Sequence, residues 1–174
     1  MPELSHLRMR RAQLTDLPTL NLPEGFVLRS ITAAELPELA CLLSAAFPEL
    51  IWTPSKTHNA LFVDLTVKET LVLIEESTGV FAATASARLQ SERFPGAGYL
   101  HWVGAHQSFR GKGLGRLITL AVLHKFHAMG CTSAVLETQD FRIPALQTYL
   151  KLGFLPEHYD DTHAARWETI LSPR

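Results

Sequence analysis

Acidic residues are missing from a long central stretch of this chain. Between Arg93 and Leu136 there is no Asp or Glu, while Arg93, Arg110, Lys112, Arg116 and Lys125 fall inside it with four histidines. The acids lie on either side, so the formal net charge is only −1. A near-neutral whole excludes the strongly basic surface of a nucleic-acid or anionic-membrane binder. The acid-free block predicts instead a local positive potential that suits a multiply charged anion. Cysteine is scarce too. Cys41 and Cys131 fit no metal or redox spacing and read as small buried thiols in a reducing cytoplasm. His124 and His127 share a helix but have no third ligand nearby in sequence, so no metal is expected. No apolar run approaches the ~18 residues of a membrane span. The basic start "MPELSHLRMRRAQLTDL" has no apolar segment after it, so no secretory signal and no membrane partner are expected.

A chain of 174 residues, 47% of them hydrophobic, can bury one core and is short for two. "FVLRSIT" alternates and predicts a strand, followed by a helix over "AAELPELACLLSAAF" with Pro37 in its first turn. "SKTHNALFVDLT" predicts a short helix with Ser55 as N-cap. "TLVLIEE" and "GVFAATASARL" read as a hairpin, and "YLHWVGAH" as the next strand. A long helix over "GRLITLAVLHKFHAMG" ends at Gly130. "TSAVLET" predicts a buried strand and "PALQTYLKLG" a helix from Pro144 to Gly153. "FLPEHY" and "ARWETIL" read as two final strands. The order predicts an α/β fold with a mixed sheet. Residues 1–25 read as an N-terminal extension packing on a single domain of residues 26–174.

The loop "SFRGKGLGRL" joins a strand to a helix, which places backbone N–H groups at a positive helix end. It lacks the spacing and the Lys-Ser/Thr pair of a P-loop. As a dinucleotide fingerprint its third glycine comes one residue early, and no acid follows. The remaining pattern is R-x-x-G-x-G, filled by Arg110, Gly113 and Gly115. About thirty residues on, "RIPALQTYLKLGF" sets Ala145, Tyr149, Gly153 and Phe154 at fixed spacing.

These two segments resemble the pyrophosphate loop and the A-x-x-x-Y-x-x-x-G-F segment of the GNAT superfamily of acyl-CoA N-acyltransferases. The resemblance covers about Phe26 to Ile170. It implies a central, mostly antiparallel mixed sheet with a splayed strand pair, flanked by helices. It implies acetyl-CoA as co-substrate and a small-molecule or peptide amine as acceptor, with a homodimer left open. Coenzyme binding would fall to Arg110, Gly111, Lys112, Gly113, Leu114, Gly115 and Arg116 at the pyrophosphate. Backbone groups of Val103, Gly104 and Ala105 would take the pantetheine arm, with Thr138 at the following strand's end. Tyr149 would protonate the departing thiolate. His101 and Glu137 are the candidate bases, and Tyr99 and His101 are expected to share a strand face with Val103.

Arg142 stands where the family often has an asparagine that helps hold the coenzyme arm; arginine cannot accept a hydrogen bond there, so Thr138, Gln139 and Asp140 are the substitutes, with an Asp140–Arg142 ion pair as the plain alternative. The segments "FPELIWTPSKTH" and "HYDDTHAARW" are the expected specificity elements. Two other readings stay open. One is a non-catalytic acyl-CoA-binding regulatory module, which does not need Tyr149. The other is an anion- or nucleotide-binding domain without coenzyme A.

Overall fold

The computed structural model describes residues 4–172. The ends of the expected 1–25 extension and 26–174 domain, residues 1–3 and 173–174, lie outside them. Seven strands form one sheet in the order β2-β3-β4-β5-β6-β1-β7. They are β1 (Leu7–Arg11), β2 (Phe26–Ser30), β3 (Val67–Glu75), β4 (Phe81–Leu89), β5 (Ala97–Ala105), β6 (Ser133–Thr138) and β7 (Leu155–Glu157). All neighbours are antiparallel except β5 and β6. The helices are α1 (Leu36–Ala46), α2 (Pro54–His58), α3 (Leu114–Ala128), α4 (Ile143–Lys151) and α5 (His163–Leu171). No helix among the described residues is long and apolar enough to cross a membrane.

Alternation along β3 shows how the layers divide. Leu71 and Leu73 face one core with Ile118, Val122 and Phe126 of α3, and with Leu146 and Trp167 of α4 and α5. Val72 and Ile74 face the other, with Leu39, Leu42 and Phe47 from α1 and its end. The sheet is thus sandwiched between α1 on one face and α3, α4 and α5 on the other.

Two local expectations are corrected. "ARWETIL" lies in helix α5, not a strand; its apolar positions Trp167 and Ile170 recur at three-residue spacing and turn toward the core. The N-cap of α2 is Thr53, whose side chain accepts from the Lys56 amide at 3.2 Å, and Ser55 lies inside the helix. Residues 7–11 form an interior strand between β6 and β7. Leu7 and Met9 are fully buried, whereas Arg8 and Arg10 point to the opposite face.

Candidate active site

The parallel pair β5–β6 stays in register only from Ala97↔Ser133 to Leu100↔Leu136. Beyond that the strands part. On its other side β5 remains bonded to β4, through Gly104↔Thr84 and Ala105↔Ala83. Residues 101–105 therefore present an edge toward β6 without a strand partner, the setting in which an extended ligand adds as a strand. A cavity of about 620 Å³ opens in this gap. Its walls include Tyr99, His101, Trp102 and Val103 from β5, Glu137 and Thr138 from β6, Arg142 and Tyr149 from the α4 segment, and Phe47 and Glu49 after α1.

A β-bulge shapes the β5 wall. Trp102 and Val103 together oppose Ala85, and Trp102 takes φ 48°. The bulge breaks the alternation expected of this strand. Trp102 turns onto the face of His101, ring centroids 4.8 Å apart, and packs edge-on against Trp52 and Phe47 at 4.6 and 5.3 Å. Val103 joins the opposite core with Leu100 instead of sharing a face with Tyr99 and His101. Gly104 cannot be replaced freely, because an added Cβ would lie 2.8 Å from the Ala46 Cβ of α1.

The Gly-rich loop leaves β5 through a turn over Gln107–Phe109 and enters α3. Gly111 and Gly113 both take left-handed conformations, φ 83° and 72°, and Gly113 is the N-cap of α3. A side chain in that conformation costs roughly 1–2 kcal/mol, which explains glycine at these two positions. The first intrahelical bond runs from the Leu117 amide to the Gly113 carbonyl at 3.0 Å. The amides of Leu114, Gly115 and Arg116 are thereby left open at the positive helix end. The Lys112 amide is turned back to the Phe109 carbonyl at 3.2 Å, so it is withdrawn from the cradle. No atom approaches within 4 Å of where a Cβ would stand on Gly111, Gly113 or Gly115. Arg110, Lys112 and Arg116 are exposed and enter none of the ion pairs among the described residues. The loop thus combines free amides, open space and unpaired cations, which fits a pyrophosphate.

Tyr149 lines the cavity from α4, 6% exposed, with its ring edge-on to Phe154 at 5.9 Å. Burial drives its pKa well above the usual phenol range, and the Arg142 charge offsets this only in part. Its hydroxyl therefore stays protonated at neutral pH. His101 behaves in the opposite sense. Burial, assisted by the Arg88 charge and opposed by Asp64, lowers its pKa to about 4, so the ring is neutral at pH 7.

Glu137 lies in the same wall but is heavily engaged. It accepts from Arg8 at 2.9 Å, from Arg93 at 2.5 and 2.9 Å, and from the Tyr99 hydroxyl at 3.1 Å. Burial alone would raise its pKa, but the two guanidinium groups hold it below the usual value. Thr138 is buried at the end of β6 and also lines the cavity.

The structure brings Tyr149, His101, Glu137, Val103 and Thr138 to one cavity. Of the expected specificity segments, the first supplies Phe47, Glu49 and Leu50, and the second supplies nothing to its walls. Asp160 instead accepts from the Thr162 amide at 2.8 Å and from Ser5 at 2.9 Å, and Trp167 is core. Asp140 pairs with Arg166 of α5 at 2.5 Å, not with Arg142. His124 donates Nε2 to the Pro18 carbonyl at 2.8 Å. The sequence pattern did not single out Arg8, Arg93 or Glu49. The alternation of "LRMRR" was the available signal for the strand that delivers Arg8. Glu49 and Arg93 are marked only by lying in an expected specificity segment and in the acid-free block.

Comparison with known proteins places the chain. Residues 36–154 match the model of the acetyltransferase (GNAT) family. The mycothiol acetyltransferase of Nocardia farcinica is 34% identical over 91% of this chain and 55% of its own length. That of Rhodococcus jostii is 31% identical over 93% of this chain and 56% of its own. The chain thus spans about half the length of these curated relatives. Among solved structures, a GCN5-related N-acetyltransferase from Sphaerobacter thermophilus aligns with a TM-score of 0.70 at 18% identity, over 89% of this chain and 50% of that one. Glucosamine-6-phosphate N-acetyltransferase from Arabidopsis thaliana gives 0.62 at 19%, over 79% of this chain and 96% of that one. At these identities the structural likeness speaks for the fold.

Proposed function

Since the chain belongs to the GNAT acetyltransferase family, we propose that it moves an acetyl group from acetyl-CoA to the amine of a small molecule. One observation carries the reading: the unpaired end of β5 runs from the cavity lined by a buried, protonated Tyr149 directly into the loop that forms the anion cradle. The coenzyme lies on the α3–α4 side of the sheet. Its pyrophosphate meets the amides of Gly111 and Gly113–Arg116 with Arg110, Lys112 and Arg116 around it, and its pantetheine amides bond the free edge at Val103, Gly104 and Ala105. The acceptor enters from the α1 side, beside His101. These assignments rest on the open edge, the vacant glycine faces and the unpaired cations.

In the reaction, the neutral amine attacks the thioester carbonyl carbon and forms a C–N bond. Backbone N–H groups of the β5 edge stabilise the oxyanion. The intermediate collapses with cleavage of the C–S bond, and Tyr149 gives its proton to the thiolate. The surplus proton of the attacking amine leaves through His101 or water. Glu137 fits the base role poorly, because two arginines hold its lone pairs. Its place is to fix Arg8, Arg93 and Tyr99 beneath the acceptor. The mycothiol acetyltransferases among the relatives support a small-molecule acceptor.

Acetyl-CoA at a hundred times its Kd would stabilise the fold by about 2.7 kcal/mol. The test has two steps. Acetyl-CoA raises the melting temperature while ATP and NAD do not, and thiol is released with a responsive member of an amine panel. A shift with ATP but not with acetyl-CoA overturns the reading. Binding without turnover on any amine favours a regulatory acyl-CoA module.

A further inference from the structure

One pair of charged side chains in the cavity wall remains unused by this scheme. Arg142 stands just before α4, seven positions, or two helical turns, ahead of Tyr149, and both line the cavity. Its guanidinium lies over the rings of Phe47 and Phe141, 4.7 and 5.1 Å from their centroids. Its Nε donates to Gln139 at 3.0 Å. Its Nη2 donates to Glu49, on the loop after α1. The pair therefore spans the gap, from the helix that carries Tyr149 to the α1 side where the acceptor enters.

The two partners are held unequally. Two aromatic faces and Gln139 fix the guanidinium, whose side chain is 20% exposed, whereas Glu49 is 37% exposed and makes no other side-chain hydrogen bond or ion pair among the described residues. If the pair opens, Glu49 is the partner that leaves. Arg142 is then a fixed fork facing the acceptor half of the cavity, with a geometry that matches a carboxylate. The other arginines near this wall, Arg8 and Arg93, are both committed to Glu137.

We propose that Arg142 determines acceptor specificity by binding a carboxylate on the amine substrate, with Glu49 as the internal carboxylate that occupies its seat until the acceptor arrives. This rests on the acetyltransferase reading above. The exchange replaces one charge-assisted pair by another, so no buried charge is left unpaired.

The experiment compares amines in matched sets: an amino acid, its carboxamide and the corresponding aminoalkyl phosphate, assayed by thiol release. The expected result is a preference for the carboxylate of about ten- to hundredfold in kcat/KM, the worth of a charge-assisted bidentate contact. Arg142→Gln removes that preference through the acceptor KM and leaves the acetyl-CoA KM and the acetyl-CoA thermal shift unchanged, which also shows that the variant is folded. Glu49→Gln lowers the KM for the carboxylate acceptor, because the competitor is gone. Equal losses on carboxylate and carboxamide, a stronger preference for the phosphate, or a raised acetyl-CoA KM in Arg142→Gln each overturn the proposal. Absence of thiol release with every amine fells the acetyltransferase reading itself and the proposal with it. Turnover without a carboxylate preference fells the proposal alone.

Discussion

At one end of the unpaired β5 edge, beyond the cavity walls, the loop around Gly111 and Gly113 offers open backbone amides and three cations that enter no ion pair among the described residues. At the other end the charges are already matched: Glu49 holds Arg142, and Glu137 holds Arg8 and Arg93. The first end is built from one continuous stretch of chain. The second is assembled from β1, the loop after α1, the approach to β5, the end of β6 and the start of α4. A cradle of amides recognises an anion whatever carries it, so it suits a coenzyme common to many reactions. A matched side-chain network yields only to a ligand that can replace one of its partners, so it suits selection of one acceptor. The two ends differ in pre-organisation: one waits for charge, the other must exchange it.

Substitutions at the junction and at each end separate these roles. The largest effect falls between them. Tyr149→Phe is expected to lower kcat by about a hundred- to ten-thousandfold, the usual worth of a general acid. The acetyl-CoA Kd, measured by titration calorimetry, stays within about twofold. A next-largest effect is confined to the cradle. Gly113→Val forces a β-branched residue into the left-handed region and crowds the anion, so the acetyl-CoA Kd rises about tenfold or more. The acceptor KM does not follow it.

At the matched end, Glu137→Gln leaves two guanidinium groups without their carboxylate and costs about 2 kcal/mol of stability by chemical denaturation. This carboxyl is held below its ordinary value of 4.5 in the folded state. Its stabilising contribution is therefore complete above the unfolded pKa and is lost as pH falls through the folded one. The substitution accordingly removes part of the acid destabilisation seen below about pH 4.5. The smallest effect on turnover belongs to His101. Its pKa falls from 6.5 to about 4 on folding, so the unfolded chain binds the extra proton between those values. Stability rises with pH across that window and levels off above 6.5. His101→Phe flattens that slope in a series of melting curves. Its kcat/KM loses no ionisation between pH 5 and 8, because the wild-type ring is already neutral there.

The legibility of this molecule in its sequence follows the same division. Arg110, Gly113 and Gly115 could be read because a backbone cradle is local: its spacing is its geometry. Tyr149 stands out because Ala145 shares its helix and Gly153 and Phe154 follow directly after the helix cap. The strand β5 was legible as a strand, but its bulge was not, since Trp102 turns over only in response to Ala85 and the pocket of Phe47 and Trp52. Helix α5 reads as a strand in the sequence because "ARWETIL" is short and mixes both periodicities, and its burial depends on a core made by distant residues. Glu49 is marked only by lying in a segment expected to set specificity, with no role of its own legible there. Its role comes from facing Arg142 across ninety-three positions of sequence.

Strand β1 has a consequence for the order in which the molecule is made. It enters the sheet early in the chain, yet its partners are residues 134–138 on one side and 155–157 on the other. Its Arg11 also donates to the Leu152 carbonyl, just past the helix that carries Tyr149. On a ribosome, the segment emerges well before either of the strands it pairs with. Closing so long a loop is entropically costly and slow compared with the local hairpin of β3 and β4. The left half of the sheet can therefore assemble during synthesis, while the seat of Tyr149 is finished only after β7 has emerged. A nascent chain paused before that point holds the Gly-rich loop but not β7, the outer partner of β1, so the support that Arg11 gives behind the helix of Tyr149 comes after the loop is already made.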